Sequence, residues 1–357
     1  LAWNYNQDDQ VRFEIEYDRL QNPYSYGIVR VNDEILYDKS YVDPRTESDR
    51  RYLRSSVYWQ HTVSDNWGIN VLLNYSTLNR NDILMGFFYK LEENTLLGHW
   101  ADSDNEFWQM SGKVELSGDF SLADMEHQLT LGLEYNESDN DLDRLRSTAF
   151  TLDPYNPSFD RPEPRDSALE RGFHYRDKDK SIYFVDSVQL TRQLAATAGL
   201  RYSEFYNKNR LTDSVSVDQD AIASTLGLSW QFNQQISLYG SYAKSFEPNS
   251  GISRSGDYFD PREAEQIEVG LRWQPSHYVS LQMVVYDLTQ KNLLTRDPED
   301  RDYSIPAGER RTQGVEIEAA LELNPALQLQ VAYSHIKNEV TEDFHGLLGN
   351  TASGIPR

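Results

Sequence analysis

The sequence predicts an all-β chain whose strands build a transmembrane antiparallel β-barrel. Three observations lead there. Apolar and polar residues alternate with a period of two from one end of the 357 residues to the other. The segments between the alternating runs are short and long in turn. Aromatic residues gather at both ends of the apolar rows.

The alternation runs in order as follows. After an opening segment at 1–6, Val11, Phe13, Ile15 and Tyr17 oppose Arg12, Glu14, Glu16 and Asp18. Leu53, Val57 and Trp59 oppose Arg54, Ser56 and Gln60, and Ile69, Val71, Leu73 and Tyr75 form the next apolar row. Val114 and Leu116 oppose Lys113 and Glu115; Leu129, Leu131, Leu133 and Tyr135 oppose Gln128, Thr130 and Glu134. Further rows follow at 181–191, at Leu194–Tyr202 and at Leu226–Phe232. Ile236, Leu238 and Tyr242 oppose Ser237, Ser241 and Ala243, and Ile267, Val269, Leu271 and Trp273 oppose Gln266, Glu268 and Arg272. The pattern closes with 279–294, with Val315–Leu323 against Glu316, Glu318 and Glu322, and with Leu327–Tyr333. Counted this way the chain holds about 14 strands, and no helical period competes.

Short connections follow Asn6, Val63, Phe120, Thr191, Phe232, Pro275 and Asn324, and several carry turn residues such as Asp65-Asn66 and Asn324-Pro325. Long connections are expected at 21–49, 81–106, 140–180, 208–220, 249–261, 295–309 and from 341 onward. Outer-membrane barrels have short periplasmic turns and long external loops, so this order also sets the orientation. Tyr17, Tyr75, Tyr135, Tyr202, Tyr242 and Tyr333 then sit near the outer end of the apolar face. Trp3, Trp59, Trp67, Phe120, Trp230 and Trp273 sit near the inner end. Two aromatic girdles around an apolar band fit a membrane. A soluble barrel or propeller shares the alternation but has no reason to lengthen every second loop.

Composition agrees. Acidic residues outnumber basic ones by 57 to 34, a net charge of −23 that repels nucleic acid. There is no Cys, so disulfides and thiolate metal sites are excluded. The mean hydropathy of −0.70 gives no transmembrane helix. It leaves a barrel open, because only every second strand residue meets lipid. Charged rows such as Arg12/Glu14/Glu16, Lys113/Glu115 and Glu316/Glu318 call for a wet interior. The chain reads as a fragment of a large barrel, opening inside an alternating segment and stopping in a loop.

Tyr239–Pro248 (YGSYAKSFEP), Tyr258–Leu271 (YFDPREAEQIEVGL), Tyr286–Pro298 (YDLTQKNLLTRDP) and Gly308–Ala319 (GERRTQGVEIEA) resemble, in order and spacing, the barrel of TonB-dependent siderophore receptors, the ferrichrome-receptor group in particular. The resemblance is clearest from about residue 181 onward and looser before it. It implies a closed barrel of about 22 strands around a plug. It also implies an outer-membrane location in a Gram-negative bacterium amid lipid and lipopolysaccharide, uptake of a ferric siderophore, and energy supplied by TonB through an N-terminal region. The plug, the TonB box and the remaining strands are expected outside these residues. No cofactor is expected, since the iron travels chelated. A passive porin-like channel is the alternative. A soluble carbohydrate-binding β protein or an adhesin is a third reading.

Enzyme motifs are missing. Glu14/Glu16 and Glu316/Glu318 share a strand face rather than flanking a substrate, as paired catalytic carboxylates do. The seven His are scattered, and Gly251–Gly256 (GISRSG) is not a nucleophile elbow. Binding residues are sought instead on the external loops. Tyr24 and Tyr26 form one aromatic cluster; Phe87, Phe88 and Tyr89 with Trp100 form a second; Tyr155 and Phe159 form a third. By the resemblance, Tyr26 stands at a pocket-lining Tyr, Ile28 replaces a Trp, and Phe87–Tyr89 fall where a Tyr-rich turn lies. Arg144, Arg146, Arg161 and Arg165 are candidate partners for an anionic ligand.

Overall fold

The computed structural model describes residues 2–4, 6–23, 30–31, 34–41, 43–90, 95–147, 149–158, 168–300, 302–324 and 326–342, the side chains of 2–4, 86–90, 168–171 and 323 excepted. Among the described residues every regular element is a strand: β1 (Ala2–Asn4), β2 (Asp9–Asn22), β3 (Arg30–Val31), β4 (Glu34–Ile35), β5 (Glu47–Ser64), β6 (Trp67–Lys90), β7 (Thr95–Leu122), β8 (Met125–Arg146), β9 (Phe150–Leu152), β10 (Ala168–Gln189), β11 (Leu194–Asn209), β12 (Ser214–Gln231), β13 (Ile236–Glu247), β14 (Arg262–Ser276), β15 (Val279–Arg296), β16 (Ser304–Asn324) and β17 (Leu327–Glu342). Fourteen of them form one antiparallel meander, β1-β2-β5-β6-β7-β8-β10-β11-β12-β13-β14-β15-β16-β17. They correspond to the alternating segments of the sequence. Strands β1 and β17 are the two edges of this sheet, β9 pairs with β7, and β3 and β4 form a small ribbon of their own.

The inner turns are short and locally built. Between β7 and β8 only Ala123 and Asp124 intervene, both at positive φ (54° and 61°), as a right-twisted two-residue hairpin requires. Thr191 and Asn233 shape two other turns, each side-chain oxygen accepting the backbone N–H groups two and three residues ahead.

The outer side departs from expectation. Within 81–106 the described residues, 81–90 and 95–106, are all strand, paired as β6 and β7. Most of 140–180 is strand as well, and β11 and β12 are joined by a tight turn at 210–213. These stretches read as loops because their apolar row ends above the girdle. The backbone ladder needs no apolar row, and it carries the strands on into solvent.

The sheet is apolar on the outside. Ile15, Leu133, Leu226, Ile267 and Val331 are all more than half exposed and lie on the rows assigned to lipid. The polar rows converge instead. Arg201 on β11 reaches across β10 to Glu134 on β8, 3.0 Å away. Tyr183 on β10 reaches across Gly132 on β8 to Glu115 on β7, 2.6 Å away. Such reach over two strand spacings belongs to the concave face, where side chains lean together. An apolar convex face with a hydrogen-bonded concave face is a sheet built for lipid outside and water inside.

Glycine seats three inward tyrosines. A Cβ on Gly132 would lie 2.1 Å from the Tyr183 ring, one on Gly270 2.1 Å from Tyr239, and one on Gly314 2.4 Å from Tyr286. Each ring lies over the glycine directly opposite it on the next strand. Tyr239 donates to Glu268 at 2.6 Å, two residues along from its glycine.

Candidate functional site

Above the outer girdle, the inward faces of β6, β7, β8 and β10 enclose a cavity of about 450 Å³. Its inward rows continue those that carry Asn74, Ser111 and Glu134 lower in the barrel. From β6 come Arg80, Asp82 and Leu84; from β7, His99, Ala101, Ser103 and Asn105; from β8, Asn140, Leu142 and Arg144; from β10, Phe173. A bulge at Gly172 inserts one residue into β10 opposite β8. A Cβ there would lie 2.8 Å from the Leu142 carbonyl oxygen, so only glycine lets β10 approach closely enough to present Phe173.

Two guanidiniums and one carboxylate are among the residues lining this cavity. Asp82 is buried, ion-paired with Arg80, and accepts the Ser48 hydroxyl at 2.6 Å. Ser48 in turn accepts from Arg50 Nε at 3.2 Å. Arg144 is placed differently. Its Nε donates to Ser103 Oγ at 3.3 Å, and no carboxylate pairs with it among the described residues. Asn105 donates to Asn140 Oδ1 at 2.9 Å, which fixes the amide edges of the wall. The arrangement offers a directed cation, amide groups and the apolar surface of Leu84, Leu142 and Phe173. Those are the groups a candidate binding surface needs. Among the described residues no group of His, Asp and Glu is placed to hold a metal ion.

The chain matches the family described as "TonB dependent receptor-like, beta-barrel" over residues 2–357. It belongs to that family. It is 24% identical over 383 residues to the metal-pseudopaline receptor of Pseudomonas aeruginosa (strain UCBPP-PA14), covering 100% of this chain and 53% of that protein. It is 29% identical over 266 residues to the ferrichrome outer membrane transporter/phage receptor of Escherichia coli (strain K12), covering 71% and 35%. The chain thus spans about half, or less, of the curated relatives it matches. Among solved structures, the siderophore receptor PiuA from Acinetobacter baumannii superposes with a TM-score of 0.81 at 16% identity, over 98% of this chain and 58% of that one. The ferripyoverdine receptor of the Pseudomonas aeruginosa outer membrane gives 0.81 at 16% identity, over 99% and 49%. At such identity the likeness shows the fold alone, and it is the barrel fold of the family.

Within this TonB-dependent receptor barrel the sequence-predicted residues are placed as follows. Tyr24, Tyr26, Ile28, Phe159, Arg161 and Arg165 lie outside the described residues. Phe87, Phe88 and Tyr89 belong to β6 by their backbone, in register with Gly98, Leu97 and Leu96. Trp100 is 1% exposed. Its backbone N–H donates to Ser147 Oγ at 2.8 Å, and the Arg45 guanidinium lies 4.8 Å from its ring. Nearby Leu96 packs with Val31, Leu36, Tyr41 and Leu152 in a small core that ties three outer connections together. The structure therefore sets Trp100 in loop packing, with its indole N–H unpartnered among the described residues. Tyr155 is exposed. Of the four arginines, Arg144 reaches the cavity. Arg80, Asp82, His99, Asn105 and Phe173 were missed, because reading 81–106 and 140–180 as loops hid their alternation.

The receptor barrel's loop at 248–261 is pinned from three sides. Asn249 Nδ2 donates to the carbonyls of Asp260 (2.6 Å) and Asn292 (2.9 Å), and Asn292, at φ 56°, donates to the Pro261 carbonyl at 2.8 Å. This gives the SFEP and FDP blocks a structural role. Arg254 at the loop tip clasps Asp297 (2.6 Å) and Glu299 (2.7 Å) of the next loop. Hydrogen bonding from Arg254 holds the Asp297 carboxyl below the usual aspartate range, with desolvation opposing it. Asp297 is thus ionised in the fold where the unfolded chain already binds a proton. The clasp is complete above about pH 4 and is lost as pH falls through the depressed folded value. Hydrogen-exchange protection of 250–257 is expected to hold from neutrality to that point and drop below it. In Asp297→Asn protection should be low throughout. Protection in the native protein that is no higher at neutral pH than in Asp297→Asn would contradict the clasp.

Proposed function

We propose that the chain is the greater part of the barrel of a receptor that takes up a ferric siderophore across the outer membrane with energy from TonB. The single observation that carries this reading is the family match over residues 2–357, and the inward-facing cavity at the outer mouth supports it. The ligand is taken from outside by the outer loops and this cavity. Iron is cargo held by its chelator, so the barrel itself needs no resident metal or cofactor, and it performs no covalent chemistry. TonB acts through a segment N-terminal to the barrel. Lipid and lipopolysaccharide surround the apolar belt.

The test is uptake. The complete gene is expressed in a Gram-negative strain lacking its own ferric-siderophore receptors, and entry of iron-55 supplied as siderophore chelates is measured with and without TonB. Uptake that requires TonB supports the reading. Uptake that persists without TonB, in proportion to concentration, would show a passive porin-like channel instead. No uptake of any chelate would reject both. In the same system Tyr26→Ala and Phe88→Ala are expected to weaken siderophore binding by about 10-fold each, through lost aromatic contact area. Unchanged affinity in both would remove the outer-loop aromatics from the ligand site.

A further inference from the structure

We infer that Arg144 is the anchor for a carboxylate on the ligand, and that this barrel takes a carboxylate-bearing metal chelate rather than a neutral one. The inference rests on the receptor reading above and specifies the ligand class.

The first observation is the state of Arg144. The chain has 57 acidic against 34 basic residues, and many of the guanidiniums among the described residues are paired. Arg19, Arg45, Arg51, Arg80, Arg176, Arg201, Arg254, Arg262 and Arg311 each contact Asp or Glu. Arg144 lines the outer cavity with only the Ser103 hydroxyl on its Nε. Ser103 is itself buried, so this bond orients the guanidinium plane while both Nη groups stay available.

The second observation is the electrostatic setting. Asp82, the one carboxylate among the described residues lining the cavity, is already committed to Arg80 and Ser48. Among the described residues lining the cavity no other carboxylate is left for Arg144. The outward row of the same hairpin is acidic, with Asp104 opposite Asp143 and Glu106 opposite Asp141. Alternation points those carboxylates to the other face of the sheet. With two guanidiniums against one carboxylate, the described lining of the cavity is cationic on an anionic protein, where an anion gains most.

The third observation is shape. The free Nη1/Nη2 edge of the Arg144 guanidinium matches a carboxylate in bidentate fashion, which a single ammonium or hydroxyl does not. Phe173, set by the Gly172 bulge, and Leu142 offer apolar surface beside it for the chelator's carbon frame. Asn105 and Asn140 offer amide groups for further oxygens. A neutral chelate makes no use of the cation and pays to desolvate it.

The experiment uses the full-length receptor purified in detergent. Binding is read by quenching of intrinsic tryptophan fluorescence, with three probes: ferric citrate, a neutral ferric trihydroxamate and a ferric tris-catecholate. Arg144→Ala and Arg144→Lys are compared with the unaltered protein, and heat-modifiable mobility confirms that each barrel is folded. The carboxylate chelate is expected to bind best. Arg144→Ala should weaken it by about 10- to 100-fold, the range for a lost charge-assisted hydrogen-bond pair. Arg144→Lys should recover only part of the loss, since the charge remains and the fork does not. Preference for the trihydroxamate or the tris-catecholate would overturn the inference while leaving the receptor reading intact. So would citrate binding that Arg144→Ala leaves unchanged. Failure of all three probes to bind would count against both.

Discussion

Leu131→Arg is expected to stop the barrel from assembling. Leu131 lies midway along the lipid row of β8, between Leu116 of β7 and Phe184 of β10, and is 42% exposed on the convex face. In water such exposure costs little; here it is the surface that lipid covers. An arginine at the bilayer midplane of a barrel costs about 2–4 kcal/mol. That is a large share of the stability of an ordinary domain, about 5–15 kcal/mol. Its neighbour supplies the control. Thr130 faces inward, where its hydroxyl is 3.1 Å from that of Ser117, and Thr130→Arg should assemble. Outer-membrane levels and heat-modifiable mobility check both. Normal assembly of Leu131→Arg, or equal failure of the two, would reverse the facing of β8 and with it the inside-out reading of the sheet.

Gly132→Val is expected to destabilise the assembled barrel by about 1–3 kcal/mol, as overpacking of a tight contact does. The Tyr183 ring occupies the space a side chain on Gly132 would need, and from there its hydroxyl reaches Glu115. Moving the ring loses the seat, and with it the bond linking three strands on the water-filled side. Gly270→Val should behave likewise through Tyr239 and Glu268. Gly227→Val is the control, because the nearest atom to its Cβ position is 3.9 Å away. Urea unfolding from lipid vesicles measures all three. Equal losses at Gly132, Gly270 and Gly227 would mean that glycine matters only for the strand backbone, and the tyrosine seats would carry no weight.

Much of this molecule is legible without coordinates. The row Leu129, Leu131, Leu133, Tyr135 shows both that β8 is a strand and which face meets lipid, because a period of two reports directly on the two environments. The same reasoning stops at the girdle. Beyond Tyr75 on β6 both faces meet water or polar loops, so Arg80, Asp82 and Leu84 carry no apolar row to mark them as strand. Their strand is maintained by pairing with β7, whose partner residues lie up to tens of positions away. Trp100 shows the converse. Its residue type and position suggested a ligand contact, yet burial against Arg45 and beside the loop core is a property of three segments meeting in space.

The sequence by itself determined the all-β class, the lipid and water faces, the direction of the strands and the resemblance to siderophore receptors. Each of these is written locally, in alternation, turn residues and motif blocks. Only the tertiary structure decided that Arg144 shares a cavity with Arg80, Asp82 and Phe173, that Gly132 is a seat for Tyr183, and that Arg254 clasps Asp297. Those are matters of register across strands. A shift of one residue between neighbours changes every such contact, while the pattern along each strand reads the same.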